Sequence, residues 1–174
     1  VPIATVVIRK ESACAHRHAN QDAIEIARTS NVLNLSDEDV GDATSLDLVD
    51  AIVSSKTLRC MNVHGANATA FVMRLASSAP HVECFSFQGS AELLHFLDTN
   101  KTCKHLVVKG PCRNLDYAVL RSDVLITLWV DDEDSAIRKW QIVKRNRPQL
   151  KEIVVMTPTQ NIEVDASHPF LVRV

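Results

Sequence analysis

The chain has 174 residues and a formal net charge of -2, with 46% apolar and 23% charged residues. This length supports one sizeable core, and the composition is that of a globular protein. The near-neutral balance excludes a general attraction to nucleic acid or to an anionic membrane. No apolar run approaches the ~20 residues of a membrane span, and the first thirteen residues lack the basic and long apolar regions of a signal peptide.

One short pattern recurs seven times along the chain: an apolar residue, two free positions, an apolar residue, one free position and a third apolar residue. The opening position is weak in the copies that begin at Ser30 and Cys103. Successive copies start 27, 28, 24, 21, 22 and 25 residues apart. The alternation at the end of each copy predicts a short strand. The copies are Ile3-Val6-Ile8, Ser30-Leu33-Leu35, Leu58-Met61-Val63, Val82-Phe85-Phe87, Cys103-Leu106-Val108, Leu125-Leu128-Val130 and Leu150-Ile153-Val155.

A turn residue follows each of five copies at the same distance. Gly65, Gly89 and Gly110 stand seven residues after the start of their copies, and Asp37 and Asp132 occupy the same place in two others. Glycine and aspartate tolerate the backbone conformations of tight turns. The sequence therefore predicts that the chain leaves a strand at each of these points.

Helical spacing appears between the strands. Apolar residues three and four positions apart define one face of a helix in four of these stretches. They are Leu48, Val49, Ile52 and Val53; Phe71, Val72 and Leu75; Leu93, Leu94 and Leu97; and Ile137, Trp140 and Val143. Each copy is thus predicted to begin a unit made of a strand, a turn, a helix and a connection back to the next strand.

A strand of three or four residues with one amphipathic helix cannot bury its own apolar face, so successive units must stack. Stacking makes the strands parallel, and because helices are wider than strands the array curves with the strands inside. The prediction is an α/β fold, a short arched solenoid of about seven strand-turn-helix units over residues 1–160. The apolar residues of 161–174 predict a C-terminal cap across the last unit.

These repeats resemble the leucine-rich-repeat superfamily, in particular its irregular helical branch, which includes ribonuclease-inhibitor-like proteins and the repeat regions of F-box proteins. The resemblance covers about residues 1–157, and Asp131 to Val155 is similar to the C-terminal repeats of nematode F-box proteins. The chain departs from the family three residues after the final apolar position, where asparagine or cysteine is usual. Those positions hold Glu11, Glu38, Ala66, Ser90, Pro111, Glu133 and Pro158.

The concave side of the array is the predicted recognition surface, because the free residues beside the last two apolar positions point away from the helices. Trp129 is its one large aromatic residue, and tryptophan is enriched at interface hot spots. An alternative leaves Trp129 covered by a returning Phe170-Leu171-Val172 segment. The candidate protein-binding residues are Asn34, Asn62, His64, Ser86, Gln88, His105, Lys109, Thr127, Trp129 and Asp131.

The five cysteines have no paired spacing, which predicts free thiols and a cytoplasmic or nuclear protein. Two glycosylation triplets, at Asn67 and Asn100, are the only signals for a secreted chain. Cys103 opens a copy at an apolar position and is expected to be buried, whereas Cys60 and Cys84 are expected to be more accessible in a row with His105.

No catalytic, metal or cofactor site is predicted. Cys14, His16 and His18 lack a fourth zinc ligand at a suitable spacing. The four glycines are too widely spaced for a phosphate-binding loop, and no nucleophile elbow is present.

A basic segment, residues 138–151, is the second candidate surface. Cations near a helix C-terminus are also favourable in themselves, and no interleaved aromatics suggest base stacking, so nucleic acid is the less favoured partner. The nucleic-acid candidates are Arg138, Lys139, Lys144, Arg145, Arg147 and Lys151.

The favoured function is therefore a non-catalytic protein-recognition module. The resemblance implies the substrate-receptor or adaptor part of an F-box-like ubiquitin-ligase protein. Because the chain begins with Val1, an F-box or other effector domain that links it to a ligase scaffold is expected outside this sequence. The alternative is an RNA-associated repeat module that uses the basic segment.

Overall fold

The computed structural model describes residues 21–41, 46–156 and 171–173. Helices and strands alternate along this part of the chain, with short 3-10 turns at Ala76–Ser78 and Asp134–Ala136. The helices are α1 (Gln21–Thr29), α2 (Leu46–Ser54), α3 (Ala66–Leu75), α4 (Ala91–Thr99), α5 (Leu115–Arg121) and α6 (Ile137–Asn146). The strands are β1 (Val32–Leu35), β2 (Cys60–Val63), β3 (Cys84–Gln88), β4 (His105–Lys109), β5 (Thr127–Asp131), β6 (Glu152–Met156) and β7 (Leu171–Arg173).

The strands form one sheet in which each strand pairs with its neighbours along the chain, in the order β1 to β7. Strands β1 to β6 are parallel. These six strands coincide with the second to seventh copies of the sequence pattern, and this part of the prediction is confirmed. The first copy, at residues 3–8, lies outside the described residues.

The last strand, β7, belongs to the segment predicted as a cap. It pairs antiparallel with β6, and Met156 stands opposite Leu171. The described part of the cap therefore continues the sheet at its edge. The remaining cap residues, 161–170 and 174, lie outside the described residues.

The turns after the strands explain the aligned glycines. Gly65 has a φ of 94°, and an added Cβ would collide with the carboxylate of Asp37 from the preceding unit. That carboxylate accepts a hydrogen bond from the backbone N of Ala68 at 2.9 Å, in the first turn of α3. A side chain at residue 65 would thus remove a contact that joins two neighbouring units.

The core lies between the sheet and the helices. Every second residue of β1 to β6 points toward the helix layer and is fully buried or nearly so. At its centre, the rings of Phe85 and Phe87 are stacked at 5.5 Å, and Phe96 of α4 meets both edge-on. The strand residues of this helix-covered face are Leu33, Leu35, Met61, Val63, Phe85, Phe87, Leu106, Val108, Leu128, Val130, Ile153 and Val155.

The opposite side of the sheet, called the second face below, has its own buried apolar cluster. Its members within the described residues all come from strands, and no described helix contributes to it. They are Val32, Cys60, Cys84, Val107, Trp129, Val154 and Met156. Both sides of the sheet therefore contain a buried apolar cluster.

Candidate functional site

The second face carries all the residues predicted to bind a protein, and the strand register arranges them in three rows. The rows follow the amino ends, the middle and the carboxyl ends of the strands. The amino row is Val32, Cys60, Cys84, His105, Thr127 and Glu152; the middle row is Asn34, Asn62, Ser86, Val107, Trp129 and Val154; the carboxyl row is His64, Gln88, Lys109, Asp131 and Met156.

The middle row is buried. Asn34 is 5% exposed, and Asn62, Ser86 and Trp129 are fully buried. The side chain of Asn62 donates to Asn34 Oδ1 at 2.7 Å, and Trp129 Nε1 donates to Glu152 Oε1 at 3.1 Å. These four residues point to the predicted side of the sheet, but the expectation that Asn34, Asn62 and Ser86 are open to a partner is wrong.

The burial of Trp129 agrees with the alternative in which this residue is covered rather than free to anchor a partner. Alternation along a strand fixes the side to which a residue points, but its exposure depends on what lies over that side.

The amino row contains the predicted thiol and imidazole residues in register. Cys60 stands opposite Cys84, and Cys84 stands opposite His105. His105 is half-buried, and its Nδ1 lies 2.8 Å from Thr127 Oγ1. Burial lowers the pKa of His105, although the nearby Glu83 carboxylate opposes this shift.

The four described cysteines are free thiols. Cys60 and Cys84 are as buried as Cys103, so the prediction that they are more accessible is wrong, whereas the burial of Cys103 is confirmed. Burial raises the pKa of Cys103, while the pKa of Cys60 is lowered because Cys84 donates a hydrogen bond to its sulfur. Cys14 lies outside the described residues.

The carboxyl row contains the only exposed residue among the described residues of the three rows, although His105, Thr127 and Glu152 of the amino row are also half-buried. Gln88 is exposed, and His64, Lys109 and Asp131 are half-buried. Lys109 Nζ lies 3.3 Å from His64 Nδ1. This contact joins the end of β2 to β4 across the β3 position that Gln88 occupies. Asp131 Oδ2 accepts the backbone N–H of Gly110 at 2.7 Å, which ties the turn after β4 to β5. The row therefore presents an ordered series of polar groups with both signs of charge.

The basic segment divides into exposed and structural residues. Arg147 is buried, and its Nη1 donates to the carbonyl of Val119 at 2.8 Å, near the C-terminus of α5. The prediction that Arg147 could contact nucleic acid is therefore wrong, because its guanidinium caps a neighbouring helix. Arg138, Arg145 and Lys151 are exposed.

The other two cations of the segment make local contacts. Lys139 Nζ lies 3.1 Å from Asp132 Oδ2 and 5.2 Å from the centre of the Trp140 ring. Lys144 Nζ donates to the carbonyl of Lys151 at 3.0 Å. Partial burial acts against ionisation of Asp132, but hydrogen bonds from Trp140, the backbone of Glu133 and Lys139 outweigh it and lower the pKa of the carboxyl.

A groove between α3 and α4 is a feature that the sequence patterns did not indicate. Its volume is about 610 Å³, and its lining combines apolar Met73 and Phe96 with Arg74, Glu92 and His95. The residues lie at helix positions that a periodic pattern assigns to the solvent side or its border. A gap between two helices depends on their separation, for which the sequence holds no local signal.

Within the described residues, no group of three or more histidine, cysteine, aspartate or glutamate side chains is arranged to hold a metal ion. The described helices include none that is long and apolar enough to cross a membrane. The Cys14, His16 and His18 group lies outside the described residues.

Comparisons with protein-family models, with curated proteins and with solved structures found no match for this chain. Its function must therefore be argued from the arrangement of its own residues.

Proposed function

We propose that the protein is a non-catalytic recognition module that binds another protein along the carboxyl row of its sheet. Consecutive parallel strands place successive side chains of a row about 4.8 Å apart. Gln88 and Lys109 are register partners, and Asp131 is the last residue of β5. His64 directly follows β2 and donates its backbone N–H to the carbonyl of Leu35, so the backbone holds the four residues in a fixed order. A fixed row of donors, acceptors and charges recognises a partner at little cost in conformational entropy.

The observation that carries this proposal is the contrast in exposure within the second face. The middle row is buried and none of the described residues of the amino row is exposed, whereas Gln88 in the carboxyl row is exposed and its neighbours His64, Lys109 and Asp131 are half-buried. A partner can reach Gln88 without opening the sheet. Backbone pairing of the strands sets the register of the row. Substitutions of its side chains should therefore leave the fold intact.

The proposed context is an adaptor or substrate receptor within a larger F-box-like ubiquitin-ligase protein, in the cytoplasm or nucleus. The chain-order parallel sheet with helices over one side supports a leucine-rich-repeat-like array. The burial of the second face differs from the open concave side expected of such an array. The proposed recognition surface is therefore the rim at the strand ends, and the arched shape itself stays a prediction.

Quantitative affinity capture tests the carboxyl row. The bait is the chain with Gln88→Ala and Lys109→Glu together, beside the wild type and a Lys101→Glu control. Lys101 is exposed and pairs with Asp123 in the connections that lead from α4 to β4 and from α5 to β5, so its reversal changes the net charge by the same amount away from the carboxyl row. We expect at least one protein to be retained by wild type and control and lost with the double variant. If every captured protein survives the double variant, the carboxyl row is not the binding surface.

The second candidate function is RNA association through the exposed part of the basic segment, Arg138, Lys139, Arg145 and Lys151. These four cations reach solvent on and after the same helix. Reversing Arg138 and Arg145 to glutamate, with Arg147 left intact because it is structural, should abolish binding to a single-stranded RNA probe. The binding should also fall steeply with salt. Binding of RNA that depends on these two arginines, together with no protein partner for the carboxyl row, would replace the first proposal with this one.

A further inference from the structure

Two buried thiols on neighbouring strands form a pair that the recognition function does not use. Cys60 of β2 and Cys84 of β3 are register partners, so their side chains leave the sheet at adjacent positions on the same side. Both are nearly inaccessible to solvent, at 4% and 0% exposure. Adjacent parallel strands hold such residues about 4.8 Å apart, within the roughly 4.4–6.8 Å between Cα atoms that a disulfide requires.

The pair is chemically asymmetric. Cys84 donates its S–H hydrogen to Cys60, which lowers the pKa of Cys60. The same hydrogen bond raises the pKa of Cys84, and its burial adds to this shift. Cys60 is also the more accessible of the two, at 4% exposure against 0% for Cys84, and Cys84 stands next to it in register. Thiolate character and exposure together decide which thiol an oxidant attacks first, and both favour Cys60.

We propose that Cys60 and Cys84 form a redox-active dithiol, in which Cys60 reacts with a small hydroperoxide and Cys84 closes a disulfide across β2 and β3. The inference does not depend on the recognition function. It requires only the register of two strands and an oxidant small enough to reach a nearly buried sulfur.

The reaction balances as two steps. The Cys60 thiolate attacks one oxygen of hydrogen peroxide, the O–O bond breaks, and the leaving hydroxide takes up the proton released by Cys60, which gives a sulfenic acid and one water. Cys84 then attacks Cys60 Sγ, the S–O bond breaks, and the departing hydroxide takes the Cys84 proton as a second water. The two thiols lose two electrons and two hydrogens, and the peroxide is reduced.

Cys112 is the internal comparison for the test. It is half-exposed, yet burial of its thiol raises its pKa, so it is a poor nucleophile despite better access. The native protein is treated with graded hydrogen peroxide, denatured and alkylated, and the peptides are mapped without reductant. We expect the wild type to lose two thiols and two hydrogen atoms in mass, with a Cys60–Cys84 linked peptide appearing before Cys112 is modified.

Two variants separate the steps. Cys84→Ser should prevent the linked peptide and leave a sulfenic acid on Cys60 that dimedone traps, whereas Cys112→Ser should oxidise as the wild type does. The wild-type map decides the matter even if Cys84→Ser fails to fold. Oxidation of Cys112 with Cys60 and Cys84 still free, or sulfinic acid on Cys60 beside a free Cys84, overturns the proposal.

Discussion

The helix-covered face of the parallel sheet and the middle row of its second face are buried to a similar degree but are built from different residues. The helix-covered face is apolar throughout, with Phe85 and Phe87 at its centre. The middle row of the second face includes Asn34, Asn62 and Ser86 between apolar neighbours. Burial is therefore achieved by close apolar packing on one side and by hydrogen bonding between aligned polar side chains on the other.

This difference shows how each face is specified. An apolar face gains stability in proportion to the area it buries, and it tolerates exchange among residues of similar volume. A buried amide is costly unless its partner is in place, so the Asn34–Asn62 contact at 2.7 Å favours one register of β1 against β2. The helix-covered face would then supply most of the folding energy, and the second face would fix the alignment.

The largest expected effect comes from truncating the apolar centre. Phe85→Ala should reduce the free energy of unfolding by ~3–5 kcal/mol, because it removes contacts with both Phe87 and Phe96. Urea unfolding followed by circular dichroism measures the change. Tyr117→Ala is the control, since its side chain is 59% exposed and its loss should change stability by less than ~0.5 kcal/mol. Equal effects at the two sites would contradict the proposed role of the helix-covered face.

A smaller loss of stability is expected at Arg147, a buried charged residue on the helix side of the sheet. Arg147→Met keeps much of the side-chain volume but removes the hydrogen bond to the carbonyl of Val119, for an expected loss of ~1.5 kcal/mol. This expected loss lies at the low end of the range for hydrogen bonds to charged groups, because Arg147 Nη2 has no hydrogen-bond partner within the described part of the chain. Arg145→Met, at an exposed position, is the matched control. An unfolding midpoint for Arg147→Met that equals the control would mean that apolar packing alone holds this side together.

The smallest and most diagnostic effect concerns the asparagine pair. Asn62→Ala should cost about 1 kcal/mol or somewhat more, because it leaves the buried Asn34 amide without its contact to Asn62. Asn34→Ala should behave alike, and the double variant should cost less than the sum of the single variants. A complete double-mutant cycle in urea gives the coupling energy. Strict additivity would show that the two amides act independently and that the second face is aligned by something else.

The sequence predicted the helix-covered face well because two local periods determine it. Alternation in the strands and helical spacing between them placed Leu106, Val108 and Leu97 in the core without reference to the rest of the chain. The strand register followed as well, since each copy of the pattern began at the same point. Both properties depend on residues close together in sequence.

The exposure of the second face and the role of Arg147 were not predictable in this way. Trp129 points away from the helices as expected, but its burial depends on distant parts of the molecule. Arg147 reads as one member of a basic run, and only the packing of α6 beside α5 brings its guanidinium to the carbonyl of Val119. A run of charged residues, or an alternation of apolar and polar residues, does not show which distant part of the chain packs over a given side chain.

The pairing of strands in chain order has a consequence for how the protein is made. Cys84 pairs with His105, 21 residues later, and the longest such interval joins Val32 to Cys60, 28 residues later. Loops of this length close at modest entropic cost, and pairings of this moderate separation are typical of mixed α/β domains, which fold at intermediate rates. Each unit can dock onto the edge left by its predecessor while the rest of the polypeptide is still emerging from the ribosome. Among the described strands, β7 is the one that runs antiparallel to its neighbour, so the edge of the nascent sheet stays open to a further parallel strand until β7 is made.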